Sequence, residues 1–151
     1  MKNSLLLILV LTVMAIACNK DKFTTEPIVE VKSISPGIVN NGDVITLKSR
    51  YTDDEGDLDS IYVVYKWYNG TAIVRNDTFR YPVSILNLPT NLREADMDVV
   101  FEYNTNNNPE LVPLPGVSLR DTSATFGLVL IDKASHRSNY AESEKIRLKK
   151  P

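Results

Sequence analysis

Ser60-Ile61-Tyr62-Val63-Val64-Tyr65-Lys66-Trp67-Tyr68 decides the fold class of this chain. β-Branched and aromatic side chains dominate the nine residues, and such side chains suit the pleated surface near the centre of a sheet. The period is two. Ile61, Val63, Tyr65 and Trp67 share one face, and Tyr62, Val64, Lys66 and Tyr68 share the other. Asn69-Gly70 follows directly. Both residues tolerate positive φ, so the pair is a strong hairpin signal and predicts a returning strand over 71–79. Upstream, Ile45, Leu47, Ser49 and Tyr51 alternate with Thr46, Lys48 and Arg50, which predicts one buried and one solvated face.

Working outward, alternation starts at Ile28, where Val29 and Val31 are interleaved with Glu30 and Lys32. Further strands are expected over 97–103, 124–131 and 144–149. Ser35-Pro36-Gly37 and Asn40-Asn41-Gly42-Asp43 supply turn chemistry. Residues 80–96 contain Pro82 and Pro89 and leave two readings open, an extra strand or one helical turn over 90–95. Seven short strands at this spacing predict an all-β chain, an immunoglobulin-like antiparallel β-sandwich. Trp67 is expected as a core aromatic of that sandwich.

The N-terminus has a different grammar. Lys2 precedes an apolar run over 5–17, and Ala15 and Ala17 stand three and one before Cys18. A positive start, a short apolar stretch and small residues before a cut are the parts of a signal peptide. The run is shorter than the ~20 apolar residues a spanning helix needs. The Ala-Ile-Ala-Cys junction resembles the lipobox of bacterial lipoproteins, with Ala15 where Leu is commonest. The resemblance implies cleavage between Ala17 and Cys18, diacylglycerol on the Cys18 thiol and acylation of the new N-terminus. Several acyl chains anchor stably where one binds only marginally. The expected organisation is therefore a signal peptide over 1–17, a lipidated tether over 18–27 and a sandwich over 28–149.

Removing residues 1–17 takes away Lys2 alone, leaving 16 basic and 19 acidic residues and a formal charge of −3. No basic surplus is present to hold nucleic acid. Cys18 is the only cysteine, so the domain has no internal disulfide and no thiolate metal site. His136 is the only histidine, which rules out sites built on several. No nucleophile elbow, phosphate loop or dinucleotide fingerprint appears, and a non-catalytic role is expected.

Two segments resemble a family. Tyr51-Thr52-Asp53-Asp54-Glu55-Gly56-Asp57-Leu58 is similar to a turn of Ig-like, PKD-like and cadherin-like bacterial domains. Ile131-Asp132-Lys133-Ala134-Ser135-His136-Arg137-Ser138-Asn139 is similar to the turn before their last strand, with Ser135 where Gly is usual. Both recur in small Bacteroidetes lipoproteins. The resemblance implies a scaffold, placed in the cell envelope and anchored most often at the outer membrane, with no chemistry attached. Asp59-Ser60-Ile61 resembles the O-glycosylation signal of that group.

The candidate sites follow from the topology. Adjacent loops at one sandwich end would bring Asp132 and Asn139 toward Asp53 and Asp57. Clustered carboxylates can hold calcium, which takes six to eight oxygens; surface ion pairs with Lys133, His136 and Arg137 are the alternative. No other cofactor is expected. The long connection over 104–122 carries Leu111, Val112, Leu114 and Val117, either an outward loop for a protein partner or a segment that folds back to cap the core or forms an edge strand. Tyr62, Tyr68 and Tyr81 would serve a glycan if exposed. The membrane lipid, through Cys18, is the first expected partner. The expected role is an interaction module using the sandwich-end loops, with a structural spacer or a glycan-binding accessory as alternatives.

Overall fold

The computed structural model describes residues 25–86, 91–109, 111–117 and 120–151. Ala17, Cys18 and the signal segment lie outside the described residues. Ten strands follow: β1 (Ile28–Ser35), β2 (Ile38–Val39), β3 (Val44–Thr52), β4 (Leu58–Asn69), β5 (Ala72–Pro82), β6 (Glu94–Tyr103), β7 (Val112–Leu114), β8 (Thr122–Asp132), β9 (Ala141–Glu142) and β10 (Ile146–Leu148). One sheet has the order β1-β3-β6-β7. The other runs β2-β10-β8-β4-β5, with β9 also on β8. The two sheets pack face to face as a β-sandwich.

The period-two segments form the long strands, and their registers match residues of like burial. Ile45 faces Phe101, Leu47 faces Val99 and Ser49 faces Met97. In the second sheet Ile61, Val63 and Tyr65 face Leu130, Leu128 and Phe126. All of these are buried. Phe126 joins the layers: it stacks on Tyr65 with ring centroids 4.9 Å apart and on Phe101, from the opposite sheet, at 5.4 Å. Trp67 is only partly buried at the margin of this core. Its ring lies edge-on to Tyr65, with Arg75 on its face.

The expectation of a purely antiparallel sandwich is corrected at its edges. β6 pairs parallel with β7, and β10 pairs parallel with β2. Both parallel partners are only two or three residues long. β2 arises because the chain leaves the first sheet after β1 and joins the second through Ser35-Pro36-Gly37. The last strand is also broken. Along one edge of β8, β10 pairs with Thr122–Ala124 and β9 with Gly127 and Leu128. Between them Ser143 keeps the ladder closed: its N–H donates to Phe126 O at 2.8 Å, and its hydroxyl accepts from Phe126 N at 3.0 Å.

Residues 80–96 hold no separate strand among the described residues. β5 runs on to Pro82, a 3-10 turn covers Val83–Leu86, and β6 already begins at Glu94. The helical turn expected over 90–95 therefore gives way to a strand, whose residues Glu94 and Ala95 pair with Thr52 and Tyr51. A pairing partner overrides the local preference of so short a segment.

Candidate functional site

The acidic loop connects β3 to β4, and its backbone is fixed before its charges are considered. Asp53 N donates to Arg93 O at 2.8 Å. Asp53 Oδ2 accepts from Asp57 N at 3.0 Å, which closes the turn. Gly56 sits at the bend with φ 65°, a conformation glycine adopts without penalty. A Cβ there would also lie 3.2 Å from the Leu92 carbonyl carbon, so the loop is pressed against the chain entering β6.

The loop after β8 meets it. Lys133 N donates to Asp57 O at 3.2 Å. Asp132 Oδ1 accepts from His136 N at 2.7 Å, and Oδ2 lies 2.8 Å from His136 Nδ1. That hydrogen bond raises the imidazole pKa above its ordinary value. Burial opposes the shift, and the charges of Asp132, Glu55 and Glu26 reinforce it. Ser135 takes φ 72°, so the turn forms with serine in the left-handed region where glycine is usual. Its N–H donates to Asp132 O at 3.1 Å.

Together the loops gather Asp53, Glu55, Asp57 and Asp132, whose ligand oxygens lie within 4.8 Å of one another. Asp53 and Asp132 are fully buried. Asp53 Oδ1 and Asp57 Oδ1 are buried with no hydrogen-bond partner. The other acids of the loop are answered by arginine, Asp54 by Arg93 and Asp59 by Arg80. Among the described residues neither Lys133 nor Arg137 makes an ion pair, and His136 pairs with Asp132 of its own loop, so none of the three joins the two loops by an ion pair. Asn139 does not reach the carboxylates. Its side chain bonds Val29 twice, accepting from N at 2.9 Å and donating to O at 2.9 Å, and so holds the start of β1 at this end.

At the opposite end the long connection is bolted down. Glu102, on the outward face of β6, is nonetheless buried. Its carboxylate accepts from Thr105 Oγ1, and from the N–H groups of Asn107 and Asn108 at 3.0 and 2.9 Å. These bonds, that from Thr105 foremost, lower its pKa. Leu114 and Val117 are buried in the core and Leu111 is half-buried. Of the readings open for Leu111, Val112 and Leu114, the segment takes that of an edge strand with a core-capping tail. Pairing of Val112 and Leu114 with Phe101 and Tyr103 satisfies the backbone and turns Leu114 inward. What remains exposed is a shallow groove of about 350 Å³ lined by Tyr68, Asn69, Arg120, Asp121 and Arg147, among others.

The tyrosines divide between faces. Tyr81 pairs with Ile61 and packs against the core, where burial pushes its phenol up to about 12. It is no part of a surface platform. Tyr62 and Tyr68 lie on the outer face and are partly exposed. Tyr140 joins them, because Gly127 has no Cβ: one built there would lie 2.2 Å from the Tyr140 ring. Lys66 sits over that ring at 4.7 Å, and Lys145 over Tyr68 at 3.9 Å. Ser60 is buried in β4 and accepts from Arg80 Nε at 3.2 Å, so a glycan has no access to it in the folded domain.

No family model matches the chain, and no curated protein matches it either. Among solved structures it is similar to an alkylpurine DNA glycosylase from Pseudomonas fluorescens, at 10% identity and TM-score 0.45. That match covers 80% of this chain and 30% of the glycosylase. A Niemann-Pick type C2 protein from the Japanese carpenter ant matches at 13% identity and TM-score 0.39, over 85% of this chain and 100% of the other. A sporulation control protein from Bacillus subtilis matches at 8% identity and TM-score 0.37, over 83% and 49%. Likenesses this remote say nothing about what this domain binds.

Proposed function

We propose that this chain is a membrane-anchored envelope lipoprotein whose sandwich is a non-catalytic interaction module. The observation that carries the reading is the sequence from Lys2 through the apolar run to Ala15, Ala17 and Cys18. A thiol placed at the cut of a signal peptide, in a chain with no other cysteine, is an attachment point before it is anything else. Diacylglycerol on that thiol and acylation of the N-terminus would anchor it stably.

The start of β1 supports a direction for the proposed anchored module. β1 begins beside the acidic loop, since Ile28 pairs with Thr52 and Asn139 holds Val29. A tether over 18–27 reaches up to roughly 30 Å when extended. The acidic end then faces the lipid. The groove lined by Tyr68, Asn69, Arg120, Asp121 and Arg147 faces away from it and is the surface on offer to a partner. A glycan reading rests on Tyr62 and Tyr68, partly exposed on the outer face of β4, and on Tyr140 over Gly127.

Replacing Cys18 with Ala tests the anchor. The wild-type chain, expressed in a bacterial host with lipoprotein processing, is expected in the membrane fraction and extractable only with detergent. Cys18→Ala is expected almost entirely in the soluble envelope fraction, or retained as an uncleaved precursor of higher mass. A fully processed Cys18→Ala chain that stays with the membrane would refute the reading.

A further inference from the structure

We propose that Asp53, Glu55, Asp57 and Asp132 form a calcium site at the end of the sandwich where β1 begins. The inference does not depend on the lipid anchor. Four carboxylates with ligand oxygens within 4.8 Å of one another make up the donor set, and two of the residues are fully buried. Acidic loops are common, and crowding alone would mean little. The second observation separates this one from a solvated turn. Asp53 is 0% exposed, and its Oδ1, like Oδ1 of Asp57, is enclosed with no hydrogen-bond partner.

An unpartnered buried carboxylate oxygen is costly. Here two of them share one cluster, while Arg80 and Arg93 pair with Asp59 and Asp54. His136 answers only Asp132 by hydrogen bond. A cation among the four groups would satisfy both orphaned oxygens and offset the mutual repulsion of the carboxylates.

The donor chemistry selects the ion. All four residues offer hard oxygen ligands, which suit calcium, magnesium or manganese rather than copper or zinc. His136 stands beside Glu55 and Asp132 and could add one nitrogen, but its Nδ1 is engaged by Asp132 and the rest of the donor set is oxygen. Four carboxylates, mono- or bidentate, with water completing the shell, fit the six to eight flexible oxygens calcium takes. Magnesium demands near-ideal octahedral geometry and gives up water reluctantly. Two loops locked by Asp57 N to Asp53 and Lys133 N to Asp57 O pre-arrange the site, yet Glu55 stays exposed and can swing in.

The test uses the full chain, stripped with a chelator and titrated calorimetrically with calcium chloride, then with magnesium chloride. The expected result is one calcium per chain, with a dissociation constant in the ~0.1–1 mM range of extracellular modules. Saturating calcium should raise Tm by about 5 °C, and magnesium by less. Glu55→Gln changes an exposed side chain and leaves the fold intact. It should weaken calcium binding about tenfold while leaving the metal-free Tm equal or higher, because one repelling charge is gone. Asp57→Asn, which keeps the backbone donor to Asp53, should weaken it at least as much. No calcium heat and no calcium-specific rise in Tm would overturn the site, as would both variants binding calcium like the wild type.

Discussion

Phe126→Ala should lower the stability of the domain by about 3–5 kcal/mol and its Tm by about 12–20 °C. Phe126 is fully buried on β8, the strand paired with β4 on one side and with β9 and β10 on the other. Its ring stacks on Tyr65 within its own sheet and on Phe101 across the sandwich. Removing it takes away the transfer free energy of a large side chain and leaves a cavity at the point where the sheets meet. Neighbours on rigid paired strands cannot close that cavity, so the cost falls toward the upper part of the range. Small domains have only about 5–15 kcal/mol in total. With no disulfide to restrain the unfolded chain, the variant should be partly unfolded at 37 °C. Denaturant melts followed by tryptophan fluorescence would measure this. A loss below about 1 kcal/mol would mean the two sheets do not pack as described.

Tyr103→Phe should cost about 2 kcal/mol although it removes a single oxygen. The ring is fully buried, and its hydroxyl accepts from Val117 N at 3.0 Å and donates to Lys149 O at 3.1 Å. Phenylalanine fills the same space but leaves the buried Val117 N–H without a partner. One side chain thus ties the tail of the long connection to the end of the chain. The signature is local as well as global. Amide exchange at Val117 should accelerate at least tenfold, whereas amides at the acidic end, such as Asp57, should lose only the global share of protection. A neutral variant with unchanged exchange at Val117 would contradict the clamp.

The long strands were legible because burial imposes a period on the sequence. Ile45, Leu47, Ser49 and Tyr51 had to alternate, and all four are buried as the pattern requires. The same holds for Val99, Phe101 and Tyr103. β2, β7 and β9 were not legible, since two or three residues carry no period and their pairing depends on distant partners. Ser143 hides in the same way: the hydroxyl that replaces a ladder acceptor for Phe126 looks like any loop serine in the sequence.

The candidate site was half legible. Its carboxylates stand in the sequence, and the fold brings Asp132 to Asp53 and Asp57, because adjacent loops at one sandwich end meet. Asn139 looked like a further ligand but serves the backbone of Val29, an interaction across 110 residues that no local pattern encodes. Glu102 was missed entirely. Its place in β6 marks it as outward and solvated, and only the turn that folds Thr105, Asn107 and Asn108 back onto it makes it a buried anchor. The run of Leu111, Val112 and Leu114 carried a real apolar signal, and its meaning depended on which way the connection turned.

We propose that this domain is held at a membrane through Cys18. Intact-mass and peptide mass spectrometry of the chain purified from a lipoprotein-processing host tests it most directly. Residues 1–17 should be absent, and the N-terminal peptide should begin at Cys18 with diacylglycerol on sulfur and a fatty acyl group on nitrogen. A chain that begins at Cys18 with a free thiol, or that keeps Met1 and is soluble, would contradict it.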